Sequence, residues 1–244
     1  MSRLDKKLYS IGEAAKYLGV SMITLRRWHG NGSFKATFVS PGGHRYYSLS
    51  DLERKTRGLF QIAREWVLSE TPFEPTSEFY ASTSDRFKTR QERMNIEMNA
   101  KTQLQKNISL VSASAGEIGN NSFDHNLGNW PDVPGVFFAY DLGKRIIVLA
   151  DRGVGVLETL RRIRPGLKNH EEALRAAFTE IITARAPEHR GNGLKYVREA
   201  LTLAKADLTF QSGDAIAEIR KGQTNLIIKK ADAFIRGTLA LIEF

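Results

Sequence analysis

The chain has no cysteine, which excludes disulfides and thiolate metal sites. Proline is sparse, seven in 244 residues, and two of the seven, Pro72 and Pro75, fall in one short stretch. No uninterrupted apolar run approaches the ~20 residues that a membrane helix needs. The first seven residues are polar and lack the apolar stretch of a signal peptide. No internal repeat and no low-complexity tract is present. These absences point to a cytoplasmic protein with no membrane partner. A hydrophobic fraction of 41% and a charged fraction of 26% are ordinary for a soluble globular chain, and the length suits one large domain or two small ones.

Acidic residues are scarce at one end. From Met1 to Arg57 there are eleven Lys/Arg against four Asp/Glu, so seven of the nine net positive charges lie in the first quarter of the chain. A concentrated basic module favours a polyanionic partner, because neutralising phosphates supplies affinity without regard to sequence. Charge alone also suits a solvated basic face.

Residues 8–57 carry the pattern of a first module. Ser10, with Glu13 three residues on, forms a capping box ahead of Ile11, Ala14, Ala15 and Leu18, which share one helical face. Gly19-Val20 makes a turn, and Ser21 caps a second helix, Met22 to His29, ending at Gly30. Two short helices joined through a glycine turn are a helix-turn-helix signature. Leu25 and Trp28 point inward at i and i+3, which leaves Thr24, Arg26 and Arg27 facing outward as donors for base edges or phosphates. Phe38-Val39-Ser40 and His44-Arg45-Tyr46-Tyr47 flank the turn Pro41-Gly42-Gly43, a hairpin signature, and a wing carrying Arg and Tyr can reach a neighbouring groove or the backbone. Ser50-Asp51-Leu52 opens a further helix.

These residues closely resemble the MerR-type winged helix family, along Tyr9–Ala15, Leu18–Ser21, Thr24–Trp28 and Gly42–Tyr47. The resemblance implies contact with double-stranded DNA by Thr24, Arg26 and Arg27 on the recognition helix and by Arg45 and Tyr46 in the wing. It places Trp28 in the core and gives His44 and Tyr47 to wing packing. Members of that family continue into a long dimerising helix and an effector pocket often built on cysteines. This chain has neither the cysteines nor an unbroken heptad helix, so metal or redox sensing is not expected.

Residues 58–105 read as a helical connector and linker. Leu59, Ile62, Ala63, Trp66 and Val67 form one stripe. The stretch from Pro72 to Ser84 reads as linker, and a charged helical run follows from Asp85. Phe87, Met94 and Met98 suit pairing of that helix either with a partner chain or with its own domain.

Residues 106–244 hold four polar islands. Glu117, Asn121 and His125 fall in register on one helical face, where a carboxylate and an amide oxygen suit a water beside a hard cation such as Mg²⁺. Asp151 ends a buried strand and is followed by Gly153 and Gly155, which let backbone approach a ligand. Arg190-Gly191-Asn192-Gly193-Leu194 opens a helix whose N–H groups face phosphate. Gly237-Thr238 lies on the last strand. A lone Gly-x-Gly is usually just a turn; the order of the islands is what gives them weight.

In that order they resemble the ATP-binding domain shared by gyrase, a heat-shock chaperone, histidine kinases and MutL, the GHKL type. Glu117 and Asn121 match its N box, with Ser122 and His125 in the small and basic positions. Asp151, Gly153 and Gly155 match its first glycine box, and Gly191, Gly193 and Leu194 its second. The resemblance implies an α+β fold, an N-terminal winged helix-turn-helix followed by a two-layer α/β sandwich, with ATP and Mg²⁺ as cofactors. Asp151 would accept the adenine amino proton, with Thr238 supporting the carboxylate directly or through water. Asn121 would ligate Mg²⁺, and Glu117 would be the general base. Residues between Gly155 and Gly191 would form a mobile lid, with Arg185, His189 and Arg190 at its end. His125 reads as helix packing or phosphate-adjacent, and His170 falls within that lid.

The combination predicts a nucleotide-responsive DNA-binding regulator. Two other readings stay open: a serine/threonine kinase of the anti-sigma type acting on a partner protein, and a DNA-associated ATPase. Relatives that hydrolyse ATP draw a lysine from a following domain, and the sequence stops at Phe244, so turnover is expected only if a partner contributes that group. A palindromic operator would favour a homodimer.

Overall fold

A computed structural model describes residues 8–32, 34–71, 73–75, 77–101, 107–181 and 193–244. They divide into two units: Met1–Ile62 with Tyr140–Arg145, and Ala63–Ala139 with Ile146–Phe244.

In the first unit, β1 (Leu8–Ser10) leads into α1 (Ile11–Leu18). The capping box forms: the Glu13 carboxylate accepts from Ser10 N at 2.8 Å, and Ser10 Oγ accepts from Glu13 N at 3.4 Å. Gly19 closes α1 at φ 68°, a conformation in which glycine meets no side-chain penalty. Ser21 caps α2 (Met22–Gly30) through Thr24 N. Leu25 and Trp28 are buried, and Phe34 bridges them to the wing by packing edge-on to Trp28 and stacking on Tyr47 at 5.2 Å. The wing strands β2 (Phe38–Val39) and β3 (Arg45–Ser48) pair antiparallel, and β1 adds to the other edge of β3. Asp51, in the first turn of α3 (Leu49–Leu68), accepts from Thr37 and Ser48 hydroxyls at 2.6 and 2.8 Å, tying wing to helix.

The sequence reading places a boundary at residue 57, but α3 runs unbroken through it for 20 residues. Its apolar stripe carries on to Trp66, fully buried, whose indole N–H donates to Phe73 O at 2.8 Å.

The second unit is built on a five-stranded sheet in the order β4-β5-β6-β8-β7: Tyr80–Ala81, Val136–Asp141, Ile146–Asp151, Leu226–Glu243 and Asp207–Ile219. The stretch read as linker therefore contributes an edge strand, because Tyr80 and Ala81 pair with Phe137 and Val136. β5 is buried on both faces: Phe137 meets Trp66 and Phe79, and Phe138 meets Phe87. Helix α4 (Ser84–Asn99) buries Phe87, Met94 and Met98 within its own domain, where it packs on α5 (Ile108–Asn126). The close approach requires Gly119, since a Cβ there would lie 2.1 Å from the Phe87 ring.

Of the expected lid between Gly155 and Gly191, residues 182–191 lie outside the described ones. Residues 155–180 hold α6 (Gly155–Arg161) and α7 (His170–Thr179), which pack on each other and on the sheet through Leu157, Leu167, Ala173 and Ala176. Arg162, Arg164 and Lys168 lie exposed in the connection between the two helices, and Arg175 is exposed on α7. Helix α8 (Gly193–Ala204) then packs against α5. Among the described residues, no helix is long and apolar enough to cross a membrane.

Candidate functional site

On α2 the two faces separate cleanly. Thr24, Leu25 and Trp28 are buried, while Ile23, Arg26 and Arg27 are exposed. Thr24, expected to face outward, is only 6% exposed, and its hydroxyl lies 3.0 Å from Ser21 Oγ. Its burial follows from the cap: the Ser21–Thr24 contact folds the side chain back against the start of the helix. Thr24 is therefore withdrawn from the outward set, and Arg26 and Arg27 stay in it. The helix has no acidic residue. In the wing, Arg45 and Tyr46 are half-buried, Tyr46 packing against Phe38, while Tyr47 is fully buried as expected for a packing residue. His29 Nδ1 accepts from Ala36 N at 3.0 Å, fixing the segment between α2 and the wing.

In the second unit Asp151 ends β6 and is buried to 1% exposure. Its Oδ2 accepts from the Ser122 hydroxyl at 2.8 Å and from the Thr238 hydroxyl, and its Oδ1 accepts from Gly153 N at 2.8 Å. Burial pushes this carboxyl above the usual range, opposed by those three bonds and by His125. Thr238 is brought alongside by the pairing of β6 with β8, in which Asp151 faces it directly. The register of β7 on β8 jumps from Ser212↔Thr238 to Gly213↔Ile235. Gly237 sits in this irregularity at φ 75°, so close that a Cβ would fall 2.2 Å from Asp151 O.

The turn after Asp151 is set by a residue the sequence reading passed over. Asn126 Oδ1 accepts from Val154 N at 2.8 Å, and its amide donates to Ser122 O at 2.7 Å. Gly153 packs so tightly on that amide that a Cβ would lie 2.1 Å away. Ser122 and Asn126 are i and i+4 on α5, one residue along from the Glu117–Asn121–His125 face, and this stripe is the one that meets Asp151. Ser212 is a second missed residue: its hydroxyl accepts from Val156 N and donates to Gly237 O. Arg152, also missed, is buried and makes a bidentate pair with Asp132 and a bond to Trp66 O. Burial raises the Asp132 carboxyl, but Arg152 and Arg236 outweigh it and hold it below the usual range.

Glu117 and Asn121 form a second cluster. They are half-buried on α5, and the first residue of α8, Gly193, lies against both: a Cβ there would meet Glu117 Oε1 at 2.4 Å and Asn121 Nδ2 at 2.8 Å. Leu194 follows, half-buried, in the first turn of α8. Arg185, His189, Arg190 and Gly191 lie outside the described residues. Gly153, Gly155 and Gly237 line a cleft of about 320 Å³ together with His170, Ser212 and Arg236; Glu117, Asn121 and Gly193 are not part of that lining. The structure thus gathers the expected residues into two neighbourhoods, one around Asp151 and one where α5 meets α8. His125 is exposed near the end of α5. His170 starts α7 and bonds Asp214 through Nδ1 at 2.9 Å. Among the described residues, no group of three His, Asp or Glu side chains is placed to hold a metal ion by itself.

No curated protein matches the chain. Residues 8–54 match a family model described as a helix-turn-helix domain. Geometry and match agree, and residues 8–54 form a helix-turn-helix domain.

Proposed function

We propose that this chain is an ATP-binding, DNA-binding transcriptional regulator of the MerR-like and GHKL-like kinds, in which nucleotide state modulates DNA binding. The observation that carries the DNA half is Arg26 and Arg27, exposed side by side on an acid-free helix whose opposite face is core. A recognition helix needs that division: apolar anchors inward and hydrogen-bond donors outward toward base edges and phosphates. Arg45 and Tyr46 in the wing add backbone contacts.

The nucleotide half is supported by the fit of two sets of groups. Asp151 offers a buried carboxylate whose Oδ1 accepts a single hydrogen bond among the described residues, so a second lone pair remains for an amino donor. Glu117 and Asn121 present hard oxygen donors of the kind Mg²⁺ takes, and the bare Cα of Gly193 lets the N-terminus of α8 come up against them. ATP with Mg²⁺, when bound, supplies the adenine amino group and the triphosphate. Asp151 then discriminates adenine from guanine, whose carbonyl cannot donate. Thr238 and Ser122 hold the carboxylate in place, and the N-terminus of α8 would offer N–H groups to the phosphates.

Two outcomes are expected with a duplex selected by the full-length chain from a random pool. Arg26→Ala weakens binding by about ten-fold and, where Arg26 meets a phosphate, lowers the salt slope by about one unit. ATP at saturating concentration changes the affinity for that duplex, by a factor set by the difference in its contacts with the two states. Equal affinities with and without ATP would remove the regulatory reading and leave two independent binding activities.

A further inference from the structure

The outward face of α2 carries one side chain that neither charge nor the core explains. Ile23, the second residue of the helix, is 74% exposed, the largest exposure of any large apolar residue in the helix-turn-helix. Arg26 and Arg27 follow at i+3 and i+4 and are exposed as well, so the three project from one face. Leu25 and Trp28, on the other face, complete the core without it. A branched aliphatic group left in water one helical turn ahead of two guanidinium groups suits a surface that is apolar at one point and anionic around it. The major groove of DNA is such a surface: phosphates rim it, and the only apolar group on its floor is the thymine methyl. The position along the helix agrees, because N-terminal residues of a recognition helix reach base edges.

We infer that Ile23 is a thymine reader, packing on the 5-methyl group of one thymine while Arg26 and Arg27 hold the helix in register on neighbouring bases or phosphates. This rests on the DNA-binding reading above and adds a specificity residue to it. Ile23 supplies contact and excludes water; it makes no hydrogen bond and so cannot identify the partner base. A preference of about four-fold for the thymine methyl at one position per bound helix follows.

The test uses the full-length chain and a duplex enriched by it from a random pool. Each thymine in the selected site is replaced in turn by deoxyuridine, which removes only the methyl. At one position the wild type is expected to lose about four-fold in affinity, the worth of burying one such group. Ile23→Ala is expected to bind the thymine duplex about as weakly as the wild type binds the deoxyuridine duplex, and to show no difference between the two. Ile23→Val is expected to keep most of the discrimination. Being exposed on one side of a capped helix, these variants should melt with the wild type, which a thermal scan checks. A methyl effect that persists in Ile23→Ala, or none at any position, overturns the inference while DNA binding stands. Enrichment of no duplex at all overturns the DNA-binding reading and this inference with it.

Discussion

Asp151→Asn is expected to lower the affinity for ATP by about ten- to a hundred-fold, the usual cost of exchanging a charged hydrogen-bond acceptor for a neutral one in a buried site. The substitution keeps the side chain's size, and the hydroxyls of Ser122 and Thr238 can turn to suit an amide, so the fold should persist. Its pH signature is separate from its effect on binding. Burial raises the native carboxyl of Asp151 above its unfolded value, so the folded state binds the proton more tightly. Stability contributed by this group is therefore greatest below the unfolded carboxylate range, near pH 3.9, and declines as pH rises toward the raised native value. Asn removes that decline. A calorimetric titration with ATP, paired with melting curves across acidic pH, reads both effects. Unchanged ATP affinity in a folded Asp151→Asn protein would falsify the adenine site.

The largest loss of stability is expected at Gly237. Alanine there must adopt φ near 75°, which costs about 1–2 kcal/mol for a residue with a Cβ. That Cβ would fall 2.2 Å from Asp151 O, against backbone that is paired across β6 and β8 and cannot step aside. Together these put Gly237→Ala at about 3–5 kcal/mol, near the top of what single substitutions do, or a fall in Tm on the order of 10 °C for a chain of this length. Gly222 supplies the control: its φ is 74°, but nothing lies within 4 Å of a Cβ there. Gly222→Ala should cost only the conformational part. Equal losses at the two glycines would show that Asp151 and β8 are less tightly opposed than the register implies.

Local chemistry was legible in the sequence and long-range pairing was not. The capping box, the glycine turn after α1 and the turn at Pro41-Gly42-Gly43 each depend on residues within a few positions of one another, and they form as read. Thr24 was misplaced because helical spacing does not register a side chain that turns back to its own cap. β4 was invisible, since two residues among turn-formers become a strand only when Phe137 and Val136 arrive beside them. The Lys and Arg residues of 155–180 concealed the apolar set Ala173, Leu174, Ala176 and Phe178, which anchors α7. At the site itself, Glu117 and Asn121 stood out as polar residues on an apolar helix. Asn126 was there to be found, one turn beyond Ser122, but its role comes from Gly153, which is distant in sequence.

The three tryptophans give the chain a set of internal optical reporters. The Lys55 ammonium lies 4.2 Å from the Trp28 ring centre, so the emission of that indole is tuned by a cation supplied by the next helix. Separation of Lys55 from Trp28 shifts the colour and yield of its fluorescence, and with Trp66 and Trp130 changed to Phe the signal belongs to the helix-turn-helix alone. Trp130, edge-on to Phe123 between Asn121 and His125 on α5, is the corresponding lamp for the other unit. Each can be read in the presence and absence of ATP or DNA without attaching a dye.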